Sequence, residues 1–197
     1  GDPASSTLAP SHTYLIWGEA HQPDWAGIMS GRLHLVLAFG PERALASGGT
    51  ILKQEIHFCR SADDVRIAYA TSGKGPPLVK AANYLTHLEH DWHSPVWRHW
   101  MQGLSETNRL IRYDARGSGL SDWDVATYNM EAWVRDLEAV VSALDLDRFP
   151  LLGISQGAAV CVAFAVKHPE RVSRLVLYGG YARGRFHRGL DRKGRLE

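Results

Sequence analysis

The segment Gly153-Ile154-Ser155-Gln156-Gly157 sets a serine between two glycines, with an apolar run before it and an alanine-rich run after it. A serine hydroxyl near its ordinary pKa is a weak nucleophile. It attacks carbonyl carbon only when the backbone exposes it, a base takes its proton and N–H groups receive the oxyanion. A G-x-S-x-G match arises by chance in roughly one chain in twenty of this length, so the flanking residues decide. FPLLGI reads as a buried strand and AAVCVAFAVKHP as a helix, the setting that a nucleophile elbow requires. Larger side chains two positions either side of Ser155 would collide there, hence Gly153 and Gly157. Ala158 and Ala159 let the helix approach the sheet. The simpler alternative is a serine that caps the helix in a tight turn.

An elbow serine needs neighbours, and those neighbours need elements to carry them. QEIHFCR (54–60) and VRIAYAT (65–71) alternate apolar and polar residues across a four-residue connection, which predicts a hairpin. GKGPP (73–77) is turn chemistry, and PLVKAAN after it predicts a short strand. SPVWRHWMQGLSE (94–106) opens with a Ser-Pro helix start and sets Val96, Trp97, Trp100, Met101 and Leu104 on one face. RLIRYD (109–114) predicts a strand that ends in a glycine-rich turn. MEAWVRDLEAVVSALDL (130–146) carries apolar residues from Met130 to Leu144 at helical spacing. RLVLYGG (174–180) predicts the last strand. The β-α-β-α-β-α-β order from residue 77 predicts a mostly parallel sheet with helices on both faces, an α/β fold.

Two matched pieces give this chain a family likeness. RLIRYDARGSGLSD resembles the fourth-strand segment YDxRGxGxS of the α/β-hydrolase fold family, and SQGAAVCVAFAVKHPERVSRLVLYGG resembles its nucleophile helix and following strand. The resemblance runs from about Gln54 to Gly180 and is nearest to α/β-hydrolase domains found beside regulatory or cyclase domains in bacterial proteins. It implies a serine hydrolase of small carboxylic esters with Ser155 as nucleophile and no cofactor or metal. One oxyanion donor would be the N–H of Gln156. The family's His-Gly is replaced here by Ala82-Asn83, so the other donor would be the N–H of Tyr84. Asn83, Trp92 and Tyr178, with Tyr84, would line the substrate cleft.

The family's order is Ser, then an acid after the seventh strand, then His after the eighth, and these positions have no counterpart downstream. His168, in KHPER, matches a structural helix-end position. His187 and Asp191 stand in a basic tail (182–197) without a strand to hold them. His87, His90 and His93 crowd the segment after the third strand at the expected cleft mouth, and a metal-site reading of them lacks supporting ligands. Asp114 is expected to order the turn after the fourth strand. TYLIWGEAHQPDW and GRLHLVLAFGPE, in the N-terminal extension 1–50, resemble the family's last two strands in permuted order, but His21 or Asp24 and Pro41 stand where the acid and the His belong. The expected organisation is therefore an extension (1–50), a hydrolase core (51–181) and a tail. The alternative function is a binding or regulatory module that keeps the fold without the chemistry.

The 197 residues are 45% hydrophobic with a net charge of +1, so no global field advertises nucleic acid or an anionic membrane as partner. No run approaches the ~18 apolar residues of a membrane span. Cys59 and Cys161 form no framework or ligand spacing, which suits a reducing cytoplasm. A parallel sheet ending at RLVLYGG would expose an edge, so a homodimer covering it, or coverage by residues 13–39, is expected.

Overall fold

The computed structural model describes residues 52–180. The strands expected in the N-terminal extension, and His21, Asp24, Pro41, His187 and Asp191, lie outside the described residues. Six strands form one sheet in the order β1-β2-β4-β3-β5-β6. They are β1 (Gln54–Arg60), β2 (Arg66–Ser72), β3 (Pro77–Lys80), β4 (Arg109–Tyr113), β5 (Phe149–Ile154) and β6 (Val172–Tyr178). β1 and β2 form the expected hairpin, and β2 pairs antiparallel with β4. β4, β3, β5 and β6 run parallel.

Alternation along the central strands assigns the two faces. Val79, Ile111, Leu151 and Leu175 pack with Val134, Leu137, Val160 and Phe164. These belong to α3 (Met130–Ala143) and α4 (Gln156–Lys167). Their sequence neighbours Leu78, Leu110, Leu152 and Val176 point the other way, onto Met101 and Leu104 of α2 (Arg98–Thr107). Both faces are covered, as a parallel sheet demands.

Two elements depart from expectation. A short helix, α1 (Leu88–His93), stands where a loop was expected. It has no apolar period to announce it. Its start is set by the His87 imidazole, which accepts the N–H of His90, and by the Leu88 N–H, which donates to buried Asp114 at 3.1 Å. The next helix begins at Arg98, four residues later than its Ser-Pro signal. Ser94 spends that signal on a turn, its hydroxyl accepting the Val96 N–H and its carbonyl the N–H groups of Trp97 and Arg98. Val96 is consequently exposed, and Met130 at the start of α3 is also exposed, so neither joins the apolar face expected of it.

The turn after β4 is held by buried charge. The Arg116 side chain is fully buried; it donates to Asp136 of α3 at 2.8 Å and to Asp63 of the hairpin turn at 2.6 Å. The hydrogen bond from Arg116 holds the Asp63 carboxyl well below the usual carboxylate range. Asp136→Ala leaves the buried guanidinium with half its partners, and removing one side of a buried pair costs about 3–5 kcal/mol. Urea unfolding of that variant is expected to show a loss of this size.

Candidate active site

In a parallel sheet a ligand crevice opens outside the carboxyl ends of the strands, where successive crossovers diverge. The chain passes from β3 to β4 in one direction and from β5 to β6 in the other, so this point lies between β3 and β5. Ser155 follows β5 directly, and residues 81–84 follow β3 directly. The fold thus brings the expected nucleophile and the expected oxyanion loop to one place.

Ser155 has φ 52° and ψ −118°, a left-side conformation that a side chain adopts only under constraint. Such a residue costs about 1–3 kcal/mol and persists where its surroundings over-determine it. Here its N–H continues the sheet ladder by donating to the Tyr178 carbonyl at 2.9 Å, and its own carbonyl accepts the Ala158 N–H at 3.1 Å. Ser155 is exposed and makes no capping bond to α4, which disposes of the helix-cap alternative.

The glycines around it are required by approach distances. A Cβ on Gly153 would stand 2.6 Å from the Ala158 Cα, and one on Gly157 would stand 2.9 Å from the Ala82 carbonyl oxygen. The first contact presses α4 onto β5, and the second presses the start of α4 onto the loop after β3. Strain, exposure and close approach together are the geometry expected of a nucleophile elbow. A scan against family models matches residues 87–191 to the alpha/beta hydrolase fold.

The chain belongs to the α/β-hydrolase fold family.

Relatives and solved structures agree. A 2-hydroxymuconate semialdehyde hydrolase of a Pseudomonas strain is 40% identical over 108 residues, which cover 54% of this chain and 34% of that protein. A 2-hydroxy-6-oxo-2,4-heptadienoate hydrolase of Pseudomonas putida is 33% identical over 138 residues, covering 70% and 44% respectively. An esterase from a Rhodococcus species superposes with a TM-score of 0.55 at 30% identity, over 64% of this chain and 46% of that one. The chain thus spans less than half the length of these hydrolases. Among the described residues no helix is long and apolar enough to cross a membrane.

The other expected site residues separate into three places. Asn83 and Gln156 meet in a small recess that Ala82, Tyr113, Ala115, Trp133 and Val160 complete. Tyr84 is 71% exposed and does not line that recess. Trp92 and Tyr178 pack on the opposite face of the sheet, against the cluster of Leu78, Leu152, Ile154 and Val176, and the Tyr178 ring meets Trp100 edge-on at 5.3 Å. His168 caps the far end of α4, about 20 Å from Ser155 at 1.5 Å per residue. It is tied to Glu138 at 2.6 Å, in keeping with its expected structural place. Asp114 is fully buried and accepts the N–H groups of Leu88 and Leu120, so it orders the turn as expected. Burial nevertheless pushes its pKa up.

One residue escaped the sequence reading. Lys80, the last residue of β3, is buried, and its ammonium donates to the Asn83 side-chain oxygen at 2.6 Å. It lies 5.7 Å from the centre of the Trp97 ring, and among the described residues no carboxylate lies within ion-pair distance. Its register partner Arg112 is a second buried cation. The signal was a lysine inside an otherwise apolar strand, a position where charge is rare.

Burial, reinforced by Arg112 and only partly opposed by Asp91, Cys161 and Asp114, lowers the Lys80 pKa from 10.5 to about 8. Between those two values the unfolded chain binds more protons than the folded one, so the stability contribution of this group rises with pH across about 8 to 10.5. Thermal melts of Lys80→Met are therefore expected to exceed those of the parent at pH 7, with the gap narrowing toward pH 10.5. Gly153→Ala drives a methyl into the main chain of α4, and such overpacking costs about 1–3 kcal/mol, readable as a lowered melting temperature.

Proposed function

We propose that this chain carries the nucleophile of a serine hydrolase that acts on small carboxylic esters. The observation that carries the reading is the constrained, exposed Ser155 at the point where the crossovers diverge. Its Oγ attacks the ester carbonyl carbon as a base removes the hydroxyl proton. The carbonyl π electrons move onto oxygen, and the N–H groups of Gln156 and Tyr84 receive that charge. Gln156 is the first residue of α4, where backbone N–H groups lack helical partners and the helix dipole favours negative charge. Collapse of the intermediate breaks the bond to the alcohol oxygen, which takes the proton and leaves. Water then releases the acid by the same two steps. The names of the relatives, hydrolases of carbonyl compounds among them, support this class of reaction.

Among the described residues no base is hydrogen-bonded to the Ser155 hydroxyl. Candidate bases in this sequence are His21, His187 and the group of His87, His90 and His93, in the same chain or in a second copy of it.

A fluorophosphonate probe traps only an activated serine. Labelling of the purified chain that is abolished in Ser155→Ala, with hydrolysis of p-nitrophenyl acetate lost in parallel, is the expected result. Absence of labelling in the parent chain overturns the reading and leaves a binding or regulatory module in its place.

A further inference from the structure

A buried cation that costs stability is retained where something else uses it. Lys80 meets that description, and its surroundings show the use. An ammonium only donates hydrogen bonds, so the Asn83 amide must present its oxygen to Lys80 and turn its nitrogen away. That nitrogen lies 3.4 Å from the Tyr84 carbonyl, on the exposed side of the loop. The same ammonium lies 3.4 Å from the Ala81 carbonyl. From the other side, Gly157 lies against the carbonyls of Ala81 and Ala82. Residues 81–84 are thus gripped between a buried ammonium and the first turn of α4. The Trp97 ring closes over the ammonium and confines it.

We propose that Lys80 is a positioning residue that, through the side-chain amide of Asn83, fixes the peptide run carrying the second oxyanion donor. Where the family pattern has His-Gly in this loop, this chain has Ala82-Asn83 and secures the turn by a side-chain hydrogen bond from the strand below. The inference rests on the reading of Ser155 as an acyl-transfer nucleophile, since an oxyanion loop has work only in that reaction. Lys80 is not itself the base: its ammonium points at Asn83, and it makes no hydrogen bond to Ser155.

The test is a double-mutant cycle in the full chain with Lys80→Met, Asn83→Ala and the pair together. Two quantities are read: the fluorophosphonate labelling rate of Ser155 and amide hydrogen exchange over residues 81–85. Misplacing a reacting group by about 1 Å costs up to roughly 100-fold in rate. Each single variant is therefore expected to label roughly 10- to 100-fold more slowly, with faster exchange in the loop and Lys80→Met melting no lower than the parent. The double variant is expected to be no slower than the worse single one, because both act through one contact. Multiplied effects in the double variant, or parent-like labelling and exchange in Lys80→Met, overturn the inference. A parent chain that takes no label refutes the reading of Ser155 instead. Exchange then decides alone: faster loop exchange in both single variants upholds the contact, and unchanged exchange rejects it.

Discussion

The site depends on one approach distance, that between α4 and the sheet. A helix packed on a sheet ordinarily stands off by the thickness of its side chains. Here Gly153 beneath and Gly157 above remove that thickness, and the backbone of Ala158 and the Cys161 sulfur come up against Gly153. The start of α4 can therefore drop against β5 and against the loop after β3. The backbone must then turn within a single residue, and Ser155 takes the strain at φ 52°. An exposed hydroxyl at the tip of this turn is a geometric consequence of the approach.

Strain of this kind persists only inside a frame that does not yield. On one side the frame is β6, whose Tyr178 carbonyl holds the Ser155 N–H. On the other it is the turn after β4. Asp114 gathers the N–H groups of Leu88 and Leu120, and the Ser121 hydroxyl donates to the Asp114 carbonyl while accepting the Ala68 N–H. Arg116 ties the same turn to α3 and to the β1–β2 hairpin through two carboxylates. Each bond satisfies a polar group that burial would otherwise penalise. Together they join β1, β2, β4 and α3 into one body around the crevice.

Against this economy, Lys80 and Arg112 stand out. They sit in register on β3 and β4, both buried, and burial lowers both pKa values, that of Arg112 to about 10. Arg112 satisfies itself on the Gln54 side chain and the Leu88 carbonyl. Lys80 has Asn83 and the carbonyl of Ala81, at the edge of the crevice. Two cations under one cluster of tryptophans oppose folding, and only Lys80 of the two reaches the loop after β3 through Asn83.

The elbow, the strands and the long helices were legible in the sequence because their causes are local. A glycine two residues either side of a serine, a period of two, a period of 3.6 and an Asp-x-Arg-Gly turn each act within a few residues. The location of the crevice came only with the strand order that the structure shows. What escaped depends on residues far apart in the chain. The helix α1 exists because the Leu88 N–H finds Asp114, twenty-six positions on. Trp92 and Tyr178 flank the crevice in sequence terms, yet strand alternation and the packing of α2 turn them to the other face of the sheet. Lys80 reads as an anomaly in an apolar strand, and only the tertiary structure brings its ammonium to Asn83. The sequence by itself determined the turn that presents Ser155, since sterics within five residues decide it. Which side chains gather around that serine was left to the tertiary structure, because burial and register are properties of the whole sheet.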